Sequence, residues 1–367
     1  MEYMKFNDLN ISRLGMGNMR LPERDGHIDE EAAGQIIDRA IDGGVNYFDT
    51  AWMYHSFGSQ KFLGEAMKKY PRDSFYLATK YHNGFDVDHK TMFEEQLKQL
   101  QTDYVDFYLL HGVGDKSGPR YIEEGAVDYF LEQKEKGRIR YLGFSAHATP
   151  QYLAKFADHH QWDFAQIQLN YFDWLFRTAA AEYKVLEEHN IPIVVMEPVR
   201  GGRLASLTPE AEAMLKAAHP DWSVASWAFR FVRSLPQVQL VLSGMSAMDQ
   251  INDNLVTFGD DTPFTEADRE ILFDAARKFK DQIQVPCTSC RYCCDGCPSQ
   301  INIPEWLSLY NRYKLEGEWI IKRFAPEVKS EGTPDQCLQC GACSGMCPQG
   351  IDIPSFLTTL ADGMNKK

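Results

Sequence analysis

The chain predicts an α/β protein, a (β/α)8 TIM barrel over residues 1–285 followed by a small, mainly helical domain over residues 286–367. Three observations carry that reading. Eight short runs rich in β-branched and aromatic residues alternate with amphipathic stretches through the first part of the chain. None of these runs is followed by G-x-G-x-x-G, the glycine turn of doubly wound dinucleotide-binding sheets. All nine cysteines fall after residue 286.

Taken in order, the predicted strands are Arg13 to Met19, Val45 to Asp49, Phe75 to Lys80, Val105 to His111, Ile139 to Ser145, Phe164 to Asn170, Ile191 to Glu197 and Val238 to Gly244. Helical periodicity separates them, as in Asp29 to Asp42, Asp88 to Gln101, Ile122 to Lys136, Arg177 to His189 and Ser223 to Ser234. Eight strand–helix units within about 250 residues suit a closed barrel. A doubly wound sheet would leave the eighth unit as an extra. The opening segment, Met4 to Ser12, reads as a hairpin across the barrel floor.

Eight of the cysteines form two copies of C-x2-C-x2-C-x3-C-P: Cys287, Cys290, Cys293 and Cys297-Pro298, then Cys337, Cys340, Cys343 and Cys347-Pro348. This is thiolate spacing for a pair of [4Fe-4S] clusters. The copies continue beyond the cysteines, because Ile301-Asn302-Ile303-Pro304-Glu305-Trp306-Leu307 parallels Ile351-Asp352-Ile353-Pro354-Ser355-Phe356-Leu357. Zinc is the rival reading, but structural zinc sites usually separate two C-x2-C pairs by a longer spacer. In two-cluster proteins with this run the fourth cysteine ligates the other cube. Cys287, Cys290, Cys293 and Cys347 would then hold one cluster, and Cys337, Cys340, Cys343 and Cys297 the other. Cys294 is left over and reads as a small packing residue. The module resembles the helical two-cluster ferredoxin domains fused to anaerobic oxidoreductases.

With 44% hydrophobic residues the chain can build one large core and a satellite. A net charge of −14 argues against an electrostatic nucleic-acid binder. No apolar run approaches the roughly 20 residues of a membrane helix. Between Met1 and Gly17 there is no basic flank and apolar run of a signal peptide, and free thiols suit a reducing compartment, so a cytoplasmic location is expected.

Barrel chemistry sits where strands end. Asp49 ends the second predicted strand with Tyr54 just beyond, Lys80 ends the third, and His111 the fourth. An unperturbed tyrosine, with a pKa of about 10, exchanges protons poorly at neutral pH, and a nearby ammonium favours its phenolate. Lys80 would supply that charge, Asp49 would hold it, and His111 would donate a hydrogen bond to a substrate oxygen. Such a phenol is an acid for carbonyl reduction and a base for alcohol oxidation.

With these residues the barrel resembles the aldo-keto reductases. The match extends to Leu14-Gly15-Met16-Gly17, Gly143-Phe144-Ser145, Gln166-Ile167-Gln168-Leu169-Asn170 and Glu197-Pro198-Val199-Arg200-Gly201-Gly202-Arg203-Leu204. The resemblance implies a nicotinamide cofactor at the barrel mouth, hydride transfer to a small carbonyl or from an alcohol, and Tyr54 as proton donor. It also implies that Ser145 and Gln166, with Asn170 as a further candidate, hold the carboxamide. By the same likeness Pro198, Gly201 and Gly202 let backbone approach the pyrophosphate, while Gly244, Gln250 and Asn254 meet the adenosine. Gly244 and Gln250 stand where NADPH-dependent members carry cations, which favours NADH over NADPH unless Arg200 or Arg203 folds over. Ala146 and Met19 also depart from the family pattern. Trp52, Phe57, Tyr171, Phe172 and Trp174 are candidates for the substrate wall or for rim packing.

Hydride carries two electrons and a cube one, and the chain holds no flavin signal. The clusters are therefore accessory to a carbonyl reductase, or the chain exchanges electrons with a ferredoxin or flavoprotein partner, or the barrel is a nicotinamide-sensing module without turnover.

Overall fold

In the computed structural model, residues 1–365 are described; the last two positions of the predicted second domain, 366 and 367, lie outside the described residues. The strands are β1 (Tyr3–Phe6), β2 (Leu9–Ser12), β3 (Leu14–Gly17), β4 (Glu23–Arg24), β5 (His27–Ile28), β6 (Tyr47–Asp49), β7 (Tyr76–Tyr81), β8 (Val105–Val113), β9 (Ile139–Ala146), β10 (Phe164–Gln168), β11 (Ile193–Met196) and β12 (Val238–Ser243). Eight of them, β3 and β6 to β12, pair in parallel and in chain order, and β12 returns to β3 to close the barrel. All eight predicted strands are present. The chain divides into two compact units, Met1–Pro198 with Asp221–Glu270, and Val199–Pro220 with Ile271–Lys367.

In the first unit, local chemistry sets the helix boundaries. Helix Glu30–Asp42 starts where Asp29 accepts the Ala32 N–H, carries Glu30 and Glu31 in its first turn, and buries Ala33, Ile36, Ile37 and Ala40 at helical spacing. Thr149 caps helix Pro150–Ala157 in the same way, with proline where its missing N–H costs nothing. The hairpin β1–β2 forms as expected. Its Phe6, Leu9 and Ile11 join a buried cluster with Tyr47, Phe107, Tyr141, Phe164 and Leu240, and Phe6 meets Tyr141 edge to face at 5.0 Å.

That floor cluster positions everything above it. Side chains of a strand alternate between its two faces, so residues two apart point the same way. From inward Tyr47, Ala78, Leu109 and Phe164 the next inward positions are Asp49, Lys80, His111 and Gln166. Tyr141 leads through Gly143 to Ser145. A Cβ on Gly143 would stand 2.4 Å from the Phe164 carbonyl oxygen, so only glycine lets these two strands pack at that level.

Within the second unit, the two cysteine runs and the helices that follow them are two copies of one turn-and-helix pattern. Ser289 and Gln339, Arg291 and Gly341, and Gln300 and Gly350 occupy equivalent positions in the copies, and all six have positive φ. Short helices Tyr292–Asp295 and Ala342–Gly345 follow, then longer helices Ile303–Glu316 and Ile353–Asn365. The core joins Trp306, Leu307, Ile320, Ile321, Leu357 and Leu360. Cys294 corresponds to Ser344. The Ser344 hydroxyl accepts the Ile353 N–H at 3.1 Å, and the Cys294 sulfur accepts the Ile303 N–H. The ninth cysteine thus satisfies the first turn of a helix, a role serine fills in the other copy. Cys294→Ser is expected to leave iron and sulfide content unchanged and to shift the thermal midpoint little; a loss of iron from anaerobically purified protein would show that Cys294 is a ligand.

Candidate active site

Closure of the barrel places the four strand-end residues together, all buried. The Lys80 ammonium donates to Asp49 Oδ1 at 2.5 Å, to the Thr50 carbonyl at 2.7 Å, and to the Tyr54 hydroxyl at 3.4 Å. Its nitrogen also stands 5.0 Å from the centre of the Tyr54 ring. The Tyr54 and His111 rings meet edge to face at 5.9 Å.

Burial pushes the Asp49 carboxyl up and the Lys80 ammonium down, and each partner's charge opposes the other's shift. His111 lies well below the ordinary histidine range because it is desolvated and faces Lys80, His82 and His147. Its imidazole is neutral at physiological pH and carries a single N–H donor.

Backbone anchors hold the group. Asn18 donates its backbone N–H at 2.8 Å and its side-chain amide at 2.9 Å to the Asp49 carbonyl, and the Thr50 N–H goes to Ala78. The loop after Tyr54 runs through three consecutive non-glycine residues with left-handed backbone, His55, Ser56 and Phe57, at φ 51, 50 and 71. Each such residue costs about 1–2 kcal/mol. The loop is pinned at His55, which accepts the Leu21 N–H at 3.1 Å and faces Glu23 at 2.8 Å. Phe57 is left 48% exposed, in contact with Trp52 and Phe85.

The expected cofactor residues fall into three groups. Ser145 and Gln166 are register partners on β9 and β10, both buried. Ser145 accepts the Gly112 N–H at 2.9 Å, which leaves its hydroxyl proton to donate. Gln166 Oε1 is buried without a hydrogen-bond partner among the described residues. One donor and one unsatisfied acceptor side by side fit the two ends of a carboxamide.

Asn170 is engaged otherwise. It caps helix Tyr171–Phe176, accepting the Asp173 N–H and donating to Asp173 and to the Glu197 carbonyl. On the adenosine side, Gln250 accepts the Ser246 N–H at 2.8 Å, and Asn254 donates to Ser243 at 3.0 Å. A Cβ on Gly244 would lie 3.2 Å from the Arg20 side chain. Pro198 is buried and follows Glu197, which takes φ 56.

Gly201 and Gly202 lie in the second unit, at φ 64 and 88. A Cβ on Gly201 would stand 1.9 Å from the Thr288 carbonyl oxygen, so this glycine admits the loop that carries Cys287. Arg200, fully buried, donates to the Pro286 carbonyl at 3.3 Å. The sequence reading missed Arg20 and Arg39. Arg20 pairs with Glu197 at 2.7 Å, and Arg39 donates to Asn252 at 2.8 Å. Both come from segments distant in sequence from the Ser243–Asn254 loop, so its local pattern held no sign of them.

Of the aromatic candidates, Tyr171 and Phe172 are buried and Trp174 packs on Tyr183 and Phe231, which makes them core. Trp52 and Phe57 remain at the mouth. In the second unit, Cys297, Cys337, Cys340 and Cys343 line a single cavity. Cys287 feels the charge of Cys347, and Cys293 that of Cys287 and Cys290. Cys297 thus stands with the second run, and Cys347 with Cys287.

A closed parallel barrel with a buried ion pair beneath a tyrosine, joined to a duplicated cysteine module, is the build of an oxidoreductase of the barrel class. Residues 13–272 match the aldo/keto reductase family, and the chain belongs to that family. Residues 286–351 match a 4Fe-4S dicluster domain.

Among relatives, an uncharacterized oxidoreductase YqkF of Bacillus subtilis is 29% identical over 283 residues, 68% of this chain and 88% of its own. An NADH-specific methylglyoxal reductase of Escherichia coli is 22% identical over 323 residues, 73% of this chain and 96% of its own. The solved structure of aldo-keto reductase AKR11C1 from Bacillus halodurans in its holo form superposes with a TM-score of 0.62 at 28% identity, covering 75% of this chain and 96% of that one. Among the described residues no helix is long and apolar enough to cross a membrane.

Removing one member of a buried ion pair strands the other charge at a cost of about 3–5 kcal/mol. Lys80→Met should therefore destabilise the barrel by about that much, and Lys80→Met with Asp49→Leu by clearly less. Chemical denaturation of the full chain, followed by near-UV circular dichroism, measures the difference.

Proposed function

We propose that this chain is an aldo-keto reductase that reversibly reduces a small aldehyde or ketone with NADH in preference to NADPH, with Tyr54 as general acid and base. The observation that carries it is the Lys80 ammonium, held by Asp49 and lying 3.4 Å from the Tyr54 hydroxyl. A nicotinamide bound with its carboxamide against Ser145 and Gln166 would supply the hydride.

The rest of the chemistry belongs to the chain. Tyr54 gives its proton to the oxygen of the carbonyl as negative charge develops there, and Lys80 stabilises the phenolate left behind. Asp49 keeps Lys80 charged in a site whose burial opposes charge. His111, neutral, orients the carbonyl oxygen through its N–H. Buried walls exclude water from this exchange. In oxidation the same groups run in reverse.

Three features support NADH. The loop from Ser243 to Asn254 has no cation of its own. The two cations brought from elsewhere are engaged by Glu197 and Asn252. The Escherichia coli relative is named for NADH. A dianionic 2′-phosphate binds poorly without a free cation.

A barrel running to residue 285 then carries the cluster module from residue 286, in a reducing, cytoplasmic setting. Each cube would pass one electron at a time. Cys340 is exposed, with Leu338 and Met346 also exposed on the same cysteine run. That surface supports a second reading, in which the module trades electrons with a ferredoxin or flavoprotein partner.

Tyr54→Phe is expected to lower kcat by about 10²–10⁴ while NADH affinity stays constant; undiminished turnover would remove Tyr54 from the mechanism. With accessory clusters, Cys340→Ser keeps NADH-dependent carbonyl reduction in anaerobically prepared, folded protein. Loss of turnover with unchanged NADH binding favours relay, and NADH titration followed by EPR reports directly whether the cubes become reduced.

A further inference from the structure

His82 lies just past the end of β7, outside the four residues assigned to proton transfer. Its ring stands edge to face with that of His111, centroids 5.6 Å apart, and with that of Phe85 at 5.5 Å. Phe85 in turn meets Phe57, and Phe57 meets Trp52. The loops after β6 and β7 and the end of β8 therefore share one aromatic wall, which continues from Tyr54 through His111 and His82 to the exposed Phe57. His82 is half-buried, with part of its surface open.

The orientation of this imidazole is built in. The Gly84 N–H donates to His82 Nδ1 at 2.9 Å, so in the neutral ring the proton resides on Nε2. Burial, with Arg120 nearby, pulls the ring down to about 4, so it is neutral at physiological pH. Residue 84 must also be small. A Cβ there would stand 2.6 Å from His82 Cε1 and 2.8 Å from Nδ1. Glycine at 84 is what lets the ring lie over the loop and keep its single donor fixed.

We propose that His82 is a specificity residue, whose Nε2–H binds an oxygen on the carbon next to the reacting carbonyl, so that the enzyme selects 2-hydroxy and 2-oxo carbonyl compounds over plain aldehydes and ketones. This rests on the reductase reading above. Each imidazole N–H reaches an acceptor about 2.9 Å away. Two rings 5.6 Å apart can thus serve oxygens on adjacent carbons of one small molecule, His111 taking the carbonyl and His82 its neighbour. An unsubstituted substrate offers the His82 donor no acceptor, so only the oxygenated substrate gains this hydrogen bond. Trp52, Phe57 and Phe85 pack against the carbon skeleton and supply no competing donor to a second oxygen beyond the indole N–H.

The test compares matched pairs with the cluster-loaded, full-length protein and NADH: lactaldehyde against propanal, and hydroxyacetone against acetone, each as kcat/KM. The wild-type preference for the oxygenated member is expected to be roughly 10-fold or more, as for sites built around a substrate hydroxyl, and to collapse in His82→Phe. His82→Gln, which returns an N–H, restores part of it. If wild type shows no preference, or His82→Phe keeps it, the inference falls while the reductase reading stands. If wild type reduces none of the carbonyls, the reductase reading fails, and the inference with it. Should His82→Phe not fold by circular dichroism, Gly84→Ala displaces the imidazole while retaining it, and an unchanged ratio there overturns the inference equally.

Discussion

The Lys80–Asp49 ion pair is the constraint to which the barrel mouth answers. A lysine with no exposed surface survives only with its charge matched and its protons donated, and here Asp49, the Thr50 carbonyl and the Tyr54 hydroxyl take them. Those partners come from β6 and the loop that follows it, while Lys80 comes from β7. Their meeting depends on the parallel register of these strands, which aligns Asp49 with Ala78 and so sets Lys80 one inward step higher. A shift of register by one residue would turn Lys80 outward and leave Asp49 alone. The aromatic floor beneath, with Phe6 plugged among Tyr141, Phe107 and Phe164, opposes such a slip, since every inward ring would have to move with it.

Much of this was legible in the sequence because it depends on period and spacing. Eight alternations sufficed for the barrel, and Asp49, Tyr54, Lys80 and His111 stood out because strand ends can be located from the apolar runs. The cysteine runs were legible for the same reason, and their internal equivalence, down to Cys294 standing where the other copy has Ser344, is a matter of counting. What resisted reading was pairing at a distance. Nothing near Asn170 signals that its amide is consumed by capping a short helix and by the Glu197 carbonyl. Nor does anything near Gly201 signal that the Thr288 carbonyl, far along the chain, packs where a Cβ would stand. Arg20 sits beside a glycine motif that advertises a strand, and its partner Glu197 belongs to the opposite end of the barrel sequence.

The loop after Tyr54 bears on both stability and chemistry. Three successive left-handed residues without a glycine are an unfavourable local conformation, so the surroundings must impose it. His55 is the restraint, fixed at both ring nitrogens between the Leu21 backbone and Glu23. The outcome is an aromatic side chain held out at the mouth while the adjoining Tyr54 remains buried.

The duplicated module has a consequence for how the chain matures. Cys297, from the first cysteine run, lines the cavity formed by the second run, and Cys347, from the second, lies beside Cys287. The cavity lined by Cys337, Cys340 and Cys343 thus takes one wall from the other run. The two copies are therefore interlocked: any movement that parts one run from the other takes Cys297 away from Cys337, Cys340 and Cys343, so this cavity exists only once both copies have folded against each other.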